Sequence, residues 1–167
     1  MIFLTVGTTK FPFQRLLKAV DEALIKIGSK EELIVQSGVS VYQFNYKNVR
    51  VFREIPFDKL INYFKEARVI ISHGGPATIF LALKYGQNKP LIIPRLSEFK
   101  EHVNNHQNFF VDSFKKNKMI VEILSSEKVE DIIATYLKKP VALKKIRKLE
   151  VDENLIKNLN NYMELIK

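Results

Sequence analysis

The chain has 167 residues, 46% of them hydrophobic, which is the size and apolar content of one domain with one sizeable core. Its formal charge of +9 favours anionic partners and is equally an ordinary basic surface; with no zinc-finger or RRM-like signature beside it, it supports no nucleic-acid-binding role. The lack of cysteine excludes disulfides, thiol catalysis and cysteine zinc sites and fits a reducing cytoplasm, and no apolar run approaches the ~20 residues of a membrane span.

Met1-Ile2-Phe3-Leu4 has no basic n-region and leads straight into a strand, so no signal peptide is expected. The strand Ile2 to Val6 ends at Gly7. A helix is expected over Phe13 to Ile27, with Leu16, Leu17, Val20, Leu24 and Ile27 at helical spacing and Gly28-Ser29 as its stop. Glu32 to Gln36 reads as a strand ending at Ser37-Gly38, Val49 to Ile55 as a third strand, and Phe57 to Glu66 as a short helix. The spacing then predicts a strand over Arg68 to Ser72, a helix over Thr78 to Tyr85 and a strand over Pro90 to Ile93. A polar segment, Arg95 to Gln107, leads into a helix reaching about Lys116. Met119 to Val121 reads as a last strand and Val129 to Leu137 as a further helix.

Strand–helix alternation with doubly apolar strands predicts an α/β fold, a Rossmann-like parallel sheet with helices on both faces, over residues 1–140. Right-handed crossovers gather the strand-end loops on one edge, and ligands of such sheets bind there. Glycines and polar residues concentrate in those loops: Gly7-Thr8-Thr9, Ser37-Gly38, Ile55-Pro56, His73-Gly74-Gly75 and Pro94-Arg95. Beyond Pro140, Leu143, Ile146, Leu149, Ile156, Leu159, Met163 and Ile166 recur at three- and four-residue steps. Residues 141–167 therefore read as an amphipathic helical tail, packed on its own domain or docking on a protein or an anionic membrane surface.

The turn His73-Gly74-Gly75-Pro76 joins a buried strand to a helix start. Two glycines permit close backbone approach, Pro76 suits the first helical turn, and Thr78 offers a hydroxyl near free N–H groups. Alone, such a turn is common in any α/β protein. It is followed, after the strand at Pro90, by Arg95, Glu98, Glu101, His102, Asn105, His106 and Gln107, more hydrogen-bonding side chains than solubility demands. His102 and His106 stand at a spacing used by metal pairs, but no third ligand accompanies them, so no metal is assigned.

These residues carry a resemblance. Ser72-His73-Gly74-Gly75 with Thr78, then Lys89-Pro90-Leu91-Ile92-Ile93-Pro94-Arg95, then Glu101-His102 and Asn105-His106-Gln107, resemble the C-terminal domain of family 28 glycosyltransferases, the donor half of a GT-B enzyme. Thr5 to Thr9, Phe11-Pro12-Phe13 and Gln36-Ser37-Gly38 match as well. Within the family the chain is most similar to stand-alone exopolysaccharide and capsule proteins of the PssE and EpsF type. It is more distantly similar to the eukaryotic donor-binding subunit of the dolichol-linked N-acetylglucosaminyltransferase.

The resemblance implies that the domain holds a UDP-sugar. Uracil would lie near Ile55-Pro56, the diphosphate over Gly74-Gly75 and the helix start. The sugar would lie by Arg95, Glu98, Glu101 and His102, with Asn105, His106 and Gln107 at sugar or phosphates, and Gly7, Thr8 and Thr9 would face the partner half. It implies no catalytic residue on this chain. The acceptor site would belong to a membrane-associated partner subunit, with transfer to a lipid-diphosphate-linked saccharide at the inner face of the membrane. No Asp-x-Asp motif is present, so a metal-independent reaction is expected and no cofactor is implied. Leu81 stands where many such enzymes place a ribose-binding glutamate, which shifts ribose recognition to Glu98 or Glu101. The alternatives are a non-catalytic enhancer of a partner glycosyltransferase that binds no nucleotide, and a self-sufficient sugar-nucleotide epimerase, for which the length is short.

Overall fold

A computed structural model describes residues 1–123 and 128–143. Within them the chain runs β1 (Ile2–Thr5), α1 (Gln14–Lys26), β2 (Leu33–Gln36), β3 (Val49–Phe52), α2 (Phe57–Glu66), β4 (Val69–His73), α3 (Pro76–Tyr85), β5 (Leu91–Ile93), a 3-10 turn (Ser97–Phe99), α4 (His106–Lys116), β6 (Val121–Glu122) and α5 (Val129–Lys138). Every pairing is parallel, in the order β3-β2-β1-β4-β5-β6, so the expected Rossmann-like architecture is present.

Alternation along each strand sends side chains to two cores. Ile2, Leu4, Val35, Val69, Ile71 and Leu91 pack under α1 and α5, against Leu17, Val20, Ile133 and Leu137. Phe3, Ile34 and Ile70 face the other way, onto Phe64 of α2 and Ala82 of α3. Ile92 joins Val111 and Phe114 of α4 on that second side. Burial on both faces is why the strands read as continuous apolar runs rather than as alternating ones.

The boundaries differ from expectation where partners run out. β3 stops at Phe52, which is paired with Gln36, the last residue of β2, although the Gly38 N–H still donates to Arg53 O at 3.0 Å. The chain then leaves the sheet and Pro56 caps α2. α3 begins at Pro76 rather than Thr78, since a proline in the first turn forfeits no hydrogen bond. β6 falls at Val121–Glu122 rather than Met119–Val121; the Met119 N–H turns back to the Phe114 carbonyl at 3.1 Å and closes α4 instead.

Val141 to Leu143 returns to the domain, with the Lys89 N–H donating to Val141 O at 2.9 Å and the Leu143 N–H to Gln87 O at 3.3 Å. The rest of the amphipathic tail, 144–167, lies outside the described residues. No described helix is long and apolar enough to cross a membrane.

Candidate functional site

In an open sheet of this order the crevice lies where the connections diverge, between the ends of β1 and β4. The loop after β1 enters it through Gly7, whose φ of +74° belongs to the left-handed region. Its N–H donates to Thr5 Oγ1 at 3.2 Å, and that hydroxyl donates to Gln36 Oε1 at 2.6 Å, which ties the ends of β1 and β2 together. Thr8 is exposed and Thr9 half-buried at the rim.

His73 ends β4 and is buried. Its ring lies between two glycine backbones: a Cβ on Gly7 would sit 2.7 Å from Cε1, and one on Gly75 would sit 2.4 Å from Nε2. His73-Gly74-Gly75 is thus a clamp in which the imidazole fills the space that two absent side chains leave. Burial pushes the His73 pKa down to about 3, helped by the positive charge of Arg95. The ring is neutral at physiological pH and its Nδ1 has no hydrogen-bond partner among the described residues. The unfolded chain binds a proton here near pH 6.5 and the folded chain does not, so stability is fully present above that value and declines as pH falls below it. Unfolding titrations from pH 6.5 to pH 5 are expected to show a loss of up to about 1.4 kcal/mol per pH unit from this group. The His73→Asn variant should have a flatter profile; an unchanged slope would mean the ring protonates in the folded state.

Gly75 caps α3 in extended conformation and, among the described residues, no side chain caps the helix. The first intrahelical bond runs from the Ile79 N–H to Gly75 O at 3.0 Å. Pro76 has no N–H, so those of Ala77 and Thr78 stand without a helical acceptor at the positive end of the helix dipole. Thr78 is half-buried. The Gly74 N–H is already engaged, donating to Gln107 Oε1 at 3.1 Å. A Cβ on Gly74 would lie 2.8 Å from Val111, so this glycine serves close packing on α4. Leu81 is half-buried and packs toward Phe3 and Ile34 on the core side of α3.

The polar segment after β5 uses most of its side chains to hold itself. Arg95 is 1% exposed. Its Nη1 donates to the carbonyls of Phe11, Pro12 and Glu101 at 2.8, 3.3 and 3.0 Å, and its Nη2 to Val6 O at 2.6 Å. Its guanidinium also lies 4.7 Å from the Phe13 ring centre. Burial brings the Arg95 pKa down to about 10, with Glu101 opposing the shift, so it remains a cation. Glu101 is buried, paired with Arg15, and accepts the Leu96 N–H at 3.1 Å. Gln107 Oε1 takes the Arg95 N–H at 3.0 Å as well as that of Gly74, so one amide joins the ends of β4 and β5. Asn105 Oδ1 accepts the Ser97 N–H at 2.8 Å. Glu98 is exposed, with no hydrogen bond among the described residues. His102 lies with its ring centre 5.7 Å from that of Phe11 and its Nδ1 buried without a hydrogen-bond partner among the described residues. His106 opens α4.

The structure therefore brings Gly7, His73, Gly74, Gly75, Arg95 and Gln107 into one connected assembly. Glu98 and His102 keep unengaged polar atoms in the same loop region. Two participants escaped sequence reasoning. Arg15 sits among the polar positions of an amphipathic helix, and its partner Glu101 is far along the chain. Ser40, whose Oγ accepts the Phe13 N–H at 2.8 Å, lies in a loop without a pattern. No local signal marks either. Among the described residues no cluster of His, Asp and Glu is arranged to hold a metal ion.

Residues 1–159 match the glycosyltransferase family 28 C-terminal domain. Among solved structures the chain is similar to the glycotransferase of kitacinnamycin, at 16% identity and TM-score 0.63 over 93% of this chain and 37% of that one. It is also similar to the spinosyn forosaminyltransferase SpnP, at 20% identity and TM-score 0.57 over 83% and 34%. A third is the glycosyltransferase SnogD from Streptomyces nogalater, at 17% identity and TM-score 0.50 over 84% and 40%. At such identities the likeness is one of fold, and the chain spans 34 to 40% of the length of these proteins. No curated protein matches the chain.

Proposed function

We propose, from the premise that the chain belongs to the glycosyltransferase family 28 C-terminal domain family, that its crevice binds the UDP-sugar donor of a two-subunit glycosyltransferase. The observation that carries this is the start of α3 at the topological switch point, with no side-chain cap among the described residues and with its N-cap Gly75 packed against a neutral His73. The diphosphate lies over the N–H groups of Ala77 and Thr78, with the Thr78 hydroxyl as a further donor. Backbone donors and a helix dipole meet the negative charge that grows on UDP as the anomeric bond breaks. Arg95 adds a fixed positive charge beneath the crevice, where low polarity makes it act over a longer range.

Uracil is placed near Ile55-Pro56 and the sugar along Leu96 to His102, where Glu98 and His102 offer side chains to its hydroxyls. Gly7, Thr8 and Thr9 face a membrane-associated, acceptor-binding partner subunit that supplies the catalytic base. The acceptor is a lipid-diphosphate-linked saccharide at the cytoplasmic face, in exopolysaccharide or capsule synthesis.

Titration calorimetry with UDP, UDP-glucose, UDP-galactose and UDP-N-acetylglucosamine tests the donor site. Saturable binding is expected, weakened about fivefold by Thr78→Val, the loss of one hydrogen bond. A second reading, an enhancer that binds no nucleotide, draws on Leu81 and on the internal engagement of Arg95 and Glu101. Flat titrations with all four probes would establish it. Strong sugar transfer by the purified chain alone would overturn the two-subunit arrangement.

A further inference from the structure

Arg15 stands in the first turn of α1 and reaches over the edge of the sheet to the loop between β5 and α4. Its Nε and Nη2 donate to the two oxygens of Glu101, each at 2.9 Å, and Nη2 also donates to Pro94 O at 3.1 Å. Its guanidinium lies 5.2 Å from the ring centre of Phe13 and 5.0 Å from that of Phe99. Phe99 is half exposed and belongs to the 3-10 turn, which Lys100 closes at a φ of 57°. Glu101 in turn accepts the Leu96 N–H, so its carboxylate spans the base of this loop. One side chain on a rigid helix thus holds the loop at its start through Pro94, at its tip through Phe99 and at its close through Glu101. Only a planar fork makes all three contacts at once; an ammonium makes one or two.

The phosphate cradle is held by other means. Gln107 fixes Gly74 and Arg95, and the glycine clamp fixes His73, with no part played by Arg15. The two halves meet at Arg95, whose Nη1 donates to the Glu101 carbonyl at 3.0 Å, but that side chain is also anchored on Val6, Phe11 and Pro12 with no part played by Arg15.

We propose that Arg15 is the positioning residue for the donor sugar: it preorganises the wall from Leu96 to His102 that receives the sugar, and it leaves the diphosphate site untouched. The inference rests on the donor-site reading above. Its signature is a split between two ligands that share everything except the sugar.

The test compares UDP with the tightest-binding UDP-sugar of the panel, by calorimetry on the full chain and its Arg15 variants. In Arg15→Lys, which keeps a charge beside Glu101 but loses the fork, UDP affinity is expected within about twofold of the unmodified chain while the UDP-sugar weakens about tenfold. Arg15→Met should widen the gap. If leaving Glu101 unpaired prevents that variant from folding, Arg15→Met/Glu101→Gln removes the stranded charge and takes its place. Equal weakening of both ligands in Arg15→Lys, or no weakening of either, would overturn the positioning role while leaving donor binding intact. Absence of UDP binding by the unmodified chain would instead remove the donor-site reading, and this inference with it.

Discussion

Replacing Arg95 by methionine is expected to cost about 4 kcal/mol of folding stability, read as a fall in the denaturant midpoint at constant slope. Methionine fills a similar volume, so the loss is chiefly of hydrogen bonds. Four carbonyls, those of Val6, Phe11, Pro12 and Glu101, lose their donor together. A buried acceptor left unmet costs about 1–3 kcal/mol, and part of this set regains water as the loop loosens. Removal of the cation also leaves the Arg15–Glu101 pair without its neighbour. Arg95→Lys should recover less than half, because one ammonium cannot address carbonyls on several sides. A different result has a clear meaning. If Arg95→Met folds within about 1 kcal/mol of the parent but loses ligand affinity, the guanidinium belongs to the ligand and the internal bonds are incidental.

The second large effect concerns Gly7. Alanine there is expected to destabilise by about 3 kcal/mol, from backbone strain at positive φ and from collision with the His73 ring. The ring cannot retreat, since Gly75 closes its other side. A double-mutant cycle isolates the collision: Gly7→Ala combined with His73→Ala should be milder than the sum of the single changes by at least about 1 kcal/mol. Additivity would show that backbone strain alone explains the glycine and that no clamp exists. Because the clamp sets the distance between the β1 and β4 loops, affinity for the proposed nucleotide donor should fall with the single change and return partly with the double.

The fold was largely legible because the strands are buried on both faces. Leu33 to Val35 and Val69 to Ile71 are apolar runs too short for helices and too continuous for a half-exposed sheet. The boundaries were not legible where register with a neighbour decides them, as at Phe52, which is paired with the last residue of β2. The site was legible as a place rather than as a set of roles. A cluster of polar side chains after a buried strand shows that hydrogen bonds must be made there. Whether they go to a ligand or to the loop's own backbone depends on which carbonyls the fold leaves without partners. Val6, Phe11 and Pro12 become such carbonyls only once β1 and β5 lie in one sheet with β4 between them. For the same reason Arg15 read as a solvated helix position although it holds Glu101.

The strand order also bears on how the protein reaches its native state. β1 is synthesised well before β4, yet the two are neighbours, with residue 2 paired to residue 69. Until that partner emerges, β1 has one open edge, and the hairpins that speed antiparallel folding are unavailable to an all-parallel sheet. The pairing that closes this edge is the one that brings Gly7 onto His73. The candidate site should therefore be complete only after this long-range pairing has formed, and a ligand bound there would oppose the opening of the sheet.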